Sequence, residues 1–298
     1  MTESHRIFTV DVFAEKPLAG NQLAVVLDAQ DIPSDVMQSI AKEMNISETT
    51  FVLPPSDPAN AARVRIFTPA SEVPFAGHPT VGTAWVLATQ GLVPGGAMEF
   101  VLEEEVGPVP VRGVKGPGGL TFWMTHPALT FGAVERRRAQ AADAIGLSED
   151  DLLAEVPVQV ASTGNPHLYF ALRDARAVDE ATRDLDGLTE VLEATRAFGA
   201  FLFAVTGGNR LYSRMFSLDV AEDPATGSAS GPLGAFAVKY GLVPRAPAVT
   251  IVSEQGTKMG RQSFIHIELS YGESQDIPVR IEVGGSVRPV ITGSLIRS

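Results

Sequence analysis

Three residues of this chain could hold or move a proton, and each stands where one element gives way to another. Glu48 lies between Ser47 and Thr49, at the entry to an apolar extended run over 46–53. A carboxylate buried there would have a raised pKa and could take up a proton and return it; otherwise it is a structural glutamate with satisfied hydrogen bonds. His78 follows Gly77 at the mouth of an apolar helix. A neutral imidazole in that place can donate to a substrate oxygen or pass protons near pH 7, and the alternative role is a helix cap. Asp223 opens the run Asp223-Pro224-Ala225-Thr226-Gly227-Ser228-Ala229, which also fits an ordinary Asp-Pro turn.

The settings of His78 and Gly227 are copies of one another. Arg65-Ile66-Phe67 leads to Gly77 and on to Gly91-Leu92-Val93-Pro94; Arg214-Met215-Phe216 leads to Gly227 and on to Gly241-Leu242-Val243-Pro244. Gly77 to Gly91 and Gly227 to Gly241 are both 14 residues, and one inserted residue reconciles the preceding segments. A period this long predicts two duplicated domains rather than a solenoid. In each copy a glycine loop feeds a helix N-terminus, whose unpaired N–H groups and positive dipole end attract an anion. The backbone at Gly77, His78, Gly227 and Ser228 is therefore expected to bind a substrate carboxylate, with the two helix ends sharing one crevice.

The elements follow from periodicity and punctuation. Strands are expected over 6–13, 23–27, 63–67 and 121–124. Ser34 is expected to cap a helix that stops near Asn45. Residues 80–88 and 231–238 are apolar nearly all round, as a central buried helix is, with Gly91 and Gly241 closing them. Residues 112–119 read as a turn or connection between the halves, and 135–154 and 186–199 as half-exposed helices. The expected division is 1–118 for the first half and 119–285 for the second, with 286–298 a terminal segment.

With 298 residues, 45% of them hydrophobic, the chain is long enough for two cores. A net charge of −12 disfavours nucleic acid and anionic membranes as partners. No apolar run reaches 18 residues and strand-like sequence begins at Ile7, so the expectation is a cytoplasmic protein without a signal peptide. Zero cysteines exclude disulfides and every thiol nucleophile or thiol acid and base. His5, His78, His126, His167 and His266 form no ligand spacing, and neither a P-loop nor a dinucleotide fingerprint occurs, so no metal or cofactor is expected.

Ser47-Glu48-Thr49-Thr50-Phe51, Phe75-Ala76-Gly77-His78-Pro79-Thr80 and the 223–229 run, together with Ser253-Glu254-Gln255-Gly256 and Met259-Gly260-Arg261, resemble the phenazine-biosynthesis isomerase-like family over essentially the whole chain. The resemblance implies a diaminopimelate-epimerase-like α/β fold: two pseudo-symmetric halves, each a curled, mostly antiparallel sheet around an apolar helix, with the last residues returning to the first half. It implies a homodimer, and it places functional residues at Glu48, Gly77, His78, Asp223, Gly227 and Ser228. Epimerases and racemases of that fold use one cysteine from each half, and the corresponding places here look like Ala76 and Thr226. Two-thiol inversion is thereby ruled out. The expectation is a cofactor-independent isomerase of a small, cyclic amino carboxylic acid, with Glu48 the proton shuttle and His78 and Asp223 its partners. A carboxylate-based epimerase using Glu48 and Asp223, or a non-catalytic anion-binding protein, are the alternatives.

Overall fold

The computed structural model describes residues 3–116, 118–218, 220–273 and 275–297. The chain forms two units: one runs to Thr125 and resumes at Gly284, and the other is His126–Val283. The first contains β1 (Glu3–Val12), β2 (Asn21–Val26), α1 (Ser34–Met44), β3 (Glu48–Leu53), β4 (Ala62–Phe67), β5 (Glu72–Val73), α2 (Gly77–Thr89), β6 (Glu99–Glu104), β7 (Gly107–Gly116) and β8 (Gly119–Thr125). The second contains β9 (Thr130–Glu135), α3 (Arg138–Asp143), β10 (Val158–Ser162), β11 (His167–Ala171), α4 (Ala175–Glu180), α5 (Leu185–Thr195), β12 (Gly199–Gly207), β13 (Arg210–Ser217), α6 (Gly227–Lys239), β14 (Ala248–Gln255) and β15 (Ser263–Ser270). The last strand, β16 (Arg280–Arg297), starts in the second unit and continues into the first.

In the first unit the strands are ordered β1-β2-β3-β4-β6-β7-β8-β16, and β16 pairs back onto β1 from Val12↔Val287 outward. Eight strands thus close into a barrel and leave no edge to protect. Gly116 on β7 pairs with Gly119 on β8, so both strands lie inside this unit; the division falls after β8, at 125/126, rather than at 118. In the second unit the order is β9-β10-β11-β12-β13-β14-β15-β16.

The duplication is written in the strand pairings. From β1 to β7 the successive pairs run antiparallel, parallel, antiparallel, parallel, antiparallel. From β10 to β15 they run in the same sequence. Each parallel step needs a crossover, and helices supply it: α1 and α2 in the first unit, α4 with α5 and then α6 in the second. This two-fold α/β organisation is the fold class expected from the sequence.

The helix α2 packs against β1, β2, β3, β7 and β8, with Val81, Ala84, Val86 and Leu87 buried. Each fully buried large aliphatic chain contributes about 1.5–3 kcal/mol. A Cβ on Gly82 would stand 2.5 Å from Leu23 Cδ2 and 2.8 Å from Val12 Cγ2, so the helix sits closer to β1 and β2 than any larger residue allows. Both central helices begin earlier than their apolar runs indicate, at Gly77 and Gly227. Both end in the same hydrogen bonds. Gly91 N–H donates to Ala88 O and Leu92 N–H to Leu87 O; Gly241 N–H donates to Val238 O and Leu242 N–H to Ala237 O. These are Schellman closures with left-handed glycines at φ 69° and 72°, which explains the repeated Gly-Leu-Val-Pro.

Three expectations about helices are corrected. Ser34 is the first residue of α1, not its cap, and its hydroxyl instead accepts from Arg65 Nη1 at 2.9 Å. The helix expected over 135–154 is only Arg138–Asp143, because the chain turns left-handed at Gly146 and then closes a Ser148/Asp151 capping box around a short 3-10 turn. α5, expected over 186–199, ends at Thr195 because Arg196 adopts a left-handed C-cap.

Candidate active site

In the first unit the strand ends and the helix start bring Glu48 and His78 together. Leu23 on β2 pairs with Glu48, the first residue of β3, so Asn21 and Gln22 lie at the same end of the barrel. His78 Nε2 is 3.2 Å from Glu48 Oε2 and 3.2 Å from Gln22 O, while His78 Nδ1 is 3.2 Å from Asn21 Nδ2. Those contacts assign the ring's protons. Nε2 faces two acceptors and must carry hydrogen; Nδ1 faces an amide N–H and must accept. His78 is therefore the neutral Nε2–H tautomer, hydrogen-bonded to Gln22 O, and its 3.2 Å approach to Glu48 is a close polar contact, not an ion pair. Burial enforces this, holding the imidazole far below its usual range, at about 3, with the Gln22 carbonyl pulling weakly upward. The Glu48 side chain is 18% exposed against 5% for His78, so the carboxylate is the member of the pair that a ligand can reach.

Ala76, the N-cap of α2, offers no side-chain cap. Thr80 N–H returns to Ala76 O, and Pro79 has no N–H. The N–H groups of Gly77 and His78 remain at the positive end of the helix beside Glu48, where an anion is favoured.

The second unit builds its helix start differently. Thr226, the N-cap of α6, gives its hydroxyl proton to Asp223 Oδ2 at 2.6 Å, and its N–H donates to Gln255 Oε1 at 3.1 Å. Gln255 Nε2 in turn donates to Asp223 O at 2.8 Å. Asp223 is thus the hub of a braced turn and stays half-buried. Gly227 and Ser228 open α6 without a side-chain cap from Thr226, both buried, as their counterparts are in α2.

Residues 10–293 match the model of the family described as phenazine biosynthesis-like protein. The chain belongs to the phenazine biosynthesis-like family. It is 35% identical over 285 residues to the trans-2,3-dihydro-3-hydroxyanthranilate isomerase of Pseudomonas fluorescens, covering 95% of this chain and 96% of that one. Among solved structures it is similar to a protein of Pseudomonas aeruginosa described as a predicted epimerase, with a TM-score of 0.83, 34% identity, and 99% and 100% of the two chains covered. The hydroxyproline epimerase of Agrobacterium vitis shares the fold at 12% identity and a TM-score of 0.65, over 98% and 92% of the two chains. This family member is accordingly an enzyme of the isomerase class. No helix among its described residues is long and apolar enough to cross a membrane.

Several site residues of this phenazine biosynthesis-like protein escaped the reading of its sequence. Asn21, not among the expected site residues, orients His78. Register also reveals its counterpart: Leu23 pairs with Glu48 as His167 pairs with Gly199, so Gly20-Asn21 corresponds to Gly164-Asn165. The repeated Arg-x-Phe has a purpose as well. Arg65 grips Glu72 through two bonds of 2.7 Å, and Arg214 grips Glu222 through bonds of 2.9 and 2.7 Å. Each guanidinium lies over the ring of its own motif, Phe67 at 5.1 Å and Phe216 at 4.8 Å. Glu72 and Glu222 each stand five residues before the glycine that opens the central helix, so the clamp fixes the loop delivering Gly77 or Gly227. Finally, Gly256 adopts φ +74°, and a Cβ there would lie 2.6 Å from Pro224 O, which is why a glycine follows Gln255 in the brace under Asp223.

Proposed function

We propose that this protein is a cofactor-independent isomerase that moves a proton between two carbons of a small cyclic amino carboxylic acid, with Glu48 as the carrier. The observation that carries the reading is an asymmetry inside the duplication. Phe67 and Phe216 are equivalent, and they pair with Thr49 and Ala200 respectively, so the position of Glu48 in the first unit is held by Gly199 in the second. One copy retained a carboxylate at the strand entry and the other has no side chain there. Stereoinversion needs proton donors on opposite faces of one carbon; moving a double bond needs one group on one face.

In the proposed reaction the Glu48 carboxylate removes a proton from carbon, the electron pair delocalises into the adjacent double bond, and the resulting carboxylic acid returns the same proton to a different carbon. The base is regenerated, and no other reactant is consumed. The Nε2–H of His78, in close polar contact with the Glu48 carboxylate, lowers the cost of its charge when the substrate excludes water. The N–H groups at Gly77, His78, Gly227 and Ser228 are proposed to bind the substrate carboxylate, and Asp223, braced by Thr226, to hydrogen-bond its polar substituents. By similarity to the Pseudomonas fluorescens relative, the first substrate to try is trans-2,3-dihydro-3-hydroxyanthranilate.

The test is deuterium incorporation in D₂O with the wild type and Glu48→Gln. The proposal expects turnover by the wild type, with deuterium at the accepting carbon in the fraction of turnovers where the Glu48 acid exchanges with solvent before returning its proton, and neither turnover nor exchange with a folded Glu48→Gln protein. Exchange retained in Glu48→Gln overturns the role of Glu48. Label at the original carbon together with inverted chirality means an epimerase.

A further inference from the structure

Glu104 ends β6 in a run of three glutamates, Glu103-Glu104-Glu105, that reads as a solvated acidic stretch, yet it is 7% exposed. Glu104 Oε1 lies 2.5 Å from Thr80 Oγ1, and Thr80 Oγ1 lies 2.9 Å from Ala76 O. A threonine hydroxyl has one proton to donate, and a carbonyl can only accept. Ala76 O already accepts from Thr80 N–H, so the short contact is a hydrogen bond donated by the Thr80 hydroxyl to Glu104 Oε1. Among the described residues Glu104 Oε2 has no hydrogen-bond partner, a state that an ionised carboxylate would make very costly.

We propose that Glu104 is a positioning residue of the active site: carried as a neutral acid, it hydrogen-bonds Thr80 and thereby fixes the first turn of α2, which presents Gly77 and His78 beside Glu48. The inference rests on the isomerase reading for its catalytic consequence, but not for its structural one. Thr80 is two residues beyond His78, and its N–H ties the Ala76 carbonyl at the N-cap, so the chain Glu104–Thr80–Ala76 braces the segment whose N–H groups face the substrate. Burial raises the Glu104 carboxyl to about 8, with the Thr80 contact opposing. The charged groups around it are Arg63 and Arg65 on β4, Glu72 on β5, Glu103 beside it on β6 and Glu105 after it; they share with Glu104 the lining of a cavity of about 450 Å³. Arg65 is committed to Glu72, and the Glu103 carboxylate to the 56–60 loop. On α2, His78 is the only titratable side chain near Thr80, and it stays neutral across this range. Deprotonation of Glu104 places a charge in this buried setting, with Oε2 unpartnered among the described residues, and should displace the turn.

The experiment compares the full-length wild type, Glu104→Gln and Glu104→Leu between pH 6.5 and 9.5 by two readouts: the amide NMR resonances of Gly77 and His78, and kcat and KM with trans-2,3-dihydro-3-hydroxyanthranilate. The wild-type resonances should titrate near pH 8 with kcat falling at least tenfold on the alkaline side. Glu104→Gln, whose amide oxygen still accepts from Thr80, should keep kcat within about threefold and lose the titration. Glu104→Leu should show displaced resonances and low kcat at every pH. Resonances that stay fixed in the wild type, or that titrate equally in Glu104→Gln, overturn the proposal even if Glu104→Leu does not fold. Absence of turnover with intact NMR titration would count against the isomerase reading alone and leave the brace standing.

Discussion

Acid should destabilise this protein through its buried imidazoles, and removing one buried acid should make that effect larger. Burial holds His78 and His126 at about 3 and His167 at about 4, against an ordinary 6.5. Below pH 6.5 the unfolded chain binds protons that the folded chain refuses, so stability is full above 6.5 and declines toward the folded values. At pH 5 each imidazole costs about 2 kcal/mol, or about 6 kcal/mol for the three. Glu104 has the opposite sign. Its folded value, about 8, is raised from 4.5, so its contribution is full below 4.5 and is lost as pH rises through 8. Going from pH 8 to pH 5 it returns about 3–4 kcal/mol. The wild type should therefore lose only about 2–3 kcal/mol over that interval, whereas Glu104→Gln should lose about 6, a large part of an ordinary folding free energy of about 5–15 kcal/mol. Urea midpoints at pH 8, 7, 6 and 5, taken at a common m-value, measure both slopes. A Glu104→Gln profile no steeper than that of the wild type would refute the reasoning.

Two further expectations concern the loops that deliver the helix starts. Arg214→Gln strands a largely buried Glu222 and should cost about 3–5 kcal/mol in chemical denaturation, whereas Arg65→Gln, at a pair whose side chains are 19% and 32% exposed, should cost about 1 kcal/mol or less. Equal losses would mean the two clamps are not graded by burial. Gly256→Ala should push Pro224 and disturb the Asp223–Thr226 brace, lowering kcat more than tenfold while the far-ultraviolet circular dichroism spectrum is retained; unchanged kinetics would separate that brace from catalysis.

The sequence was most legible where backbone geometry restricts residue choice. Gly91 and Gly241 must go left-handed to close their helices, and so the helix ends could be read directly. Glu48, Gly77 and His78 carried enough local context to be picked out, and the fold sets them together. Glu72 and Glu222 were not found although their arginines were, because the single inserted residue of the second copy lies between the arginine and its glutamate. Asn21 and Asn165 were hidden for a similar reason: α4 and α5 replace α1 between the paired strands, so the two asparagines stand 56 and 62 residues before the matching glycines and only register aligns them. Glu104 was invisible because burial of one member of a three-glutamate run depends on which face of β6 meets the helix. Residues 135–154 misled for the opposite reason, since their helical periodicity is local and Gly146 ends it.

The measurement closest to the central claim follows a single hydrogen. Substrate deuterated at the carbon that loses its proton should be converted in ordinary water and stopped early. If Glu48, only 18% exposed, carries the proton between carbons, some product molecules will hold that deuterium at the accepting carbon. Complete loss of the label to water with inversion of the original centre would contradict a single carrier and call for two opposed groups.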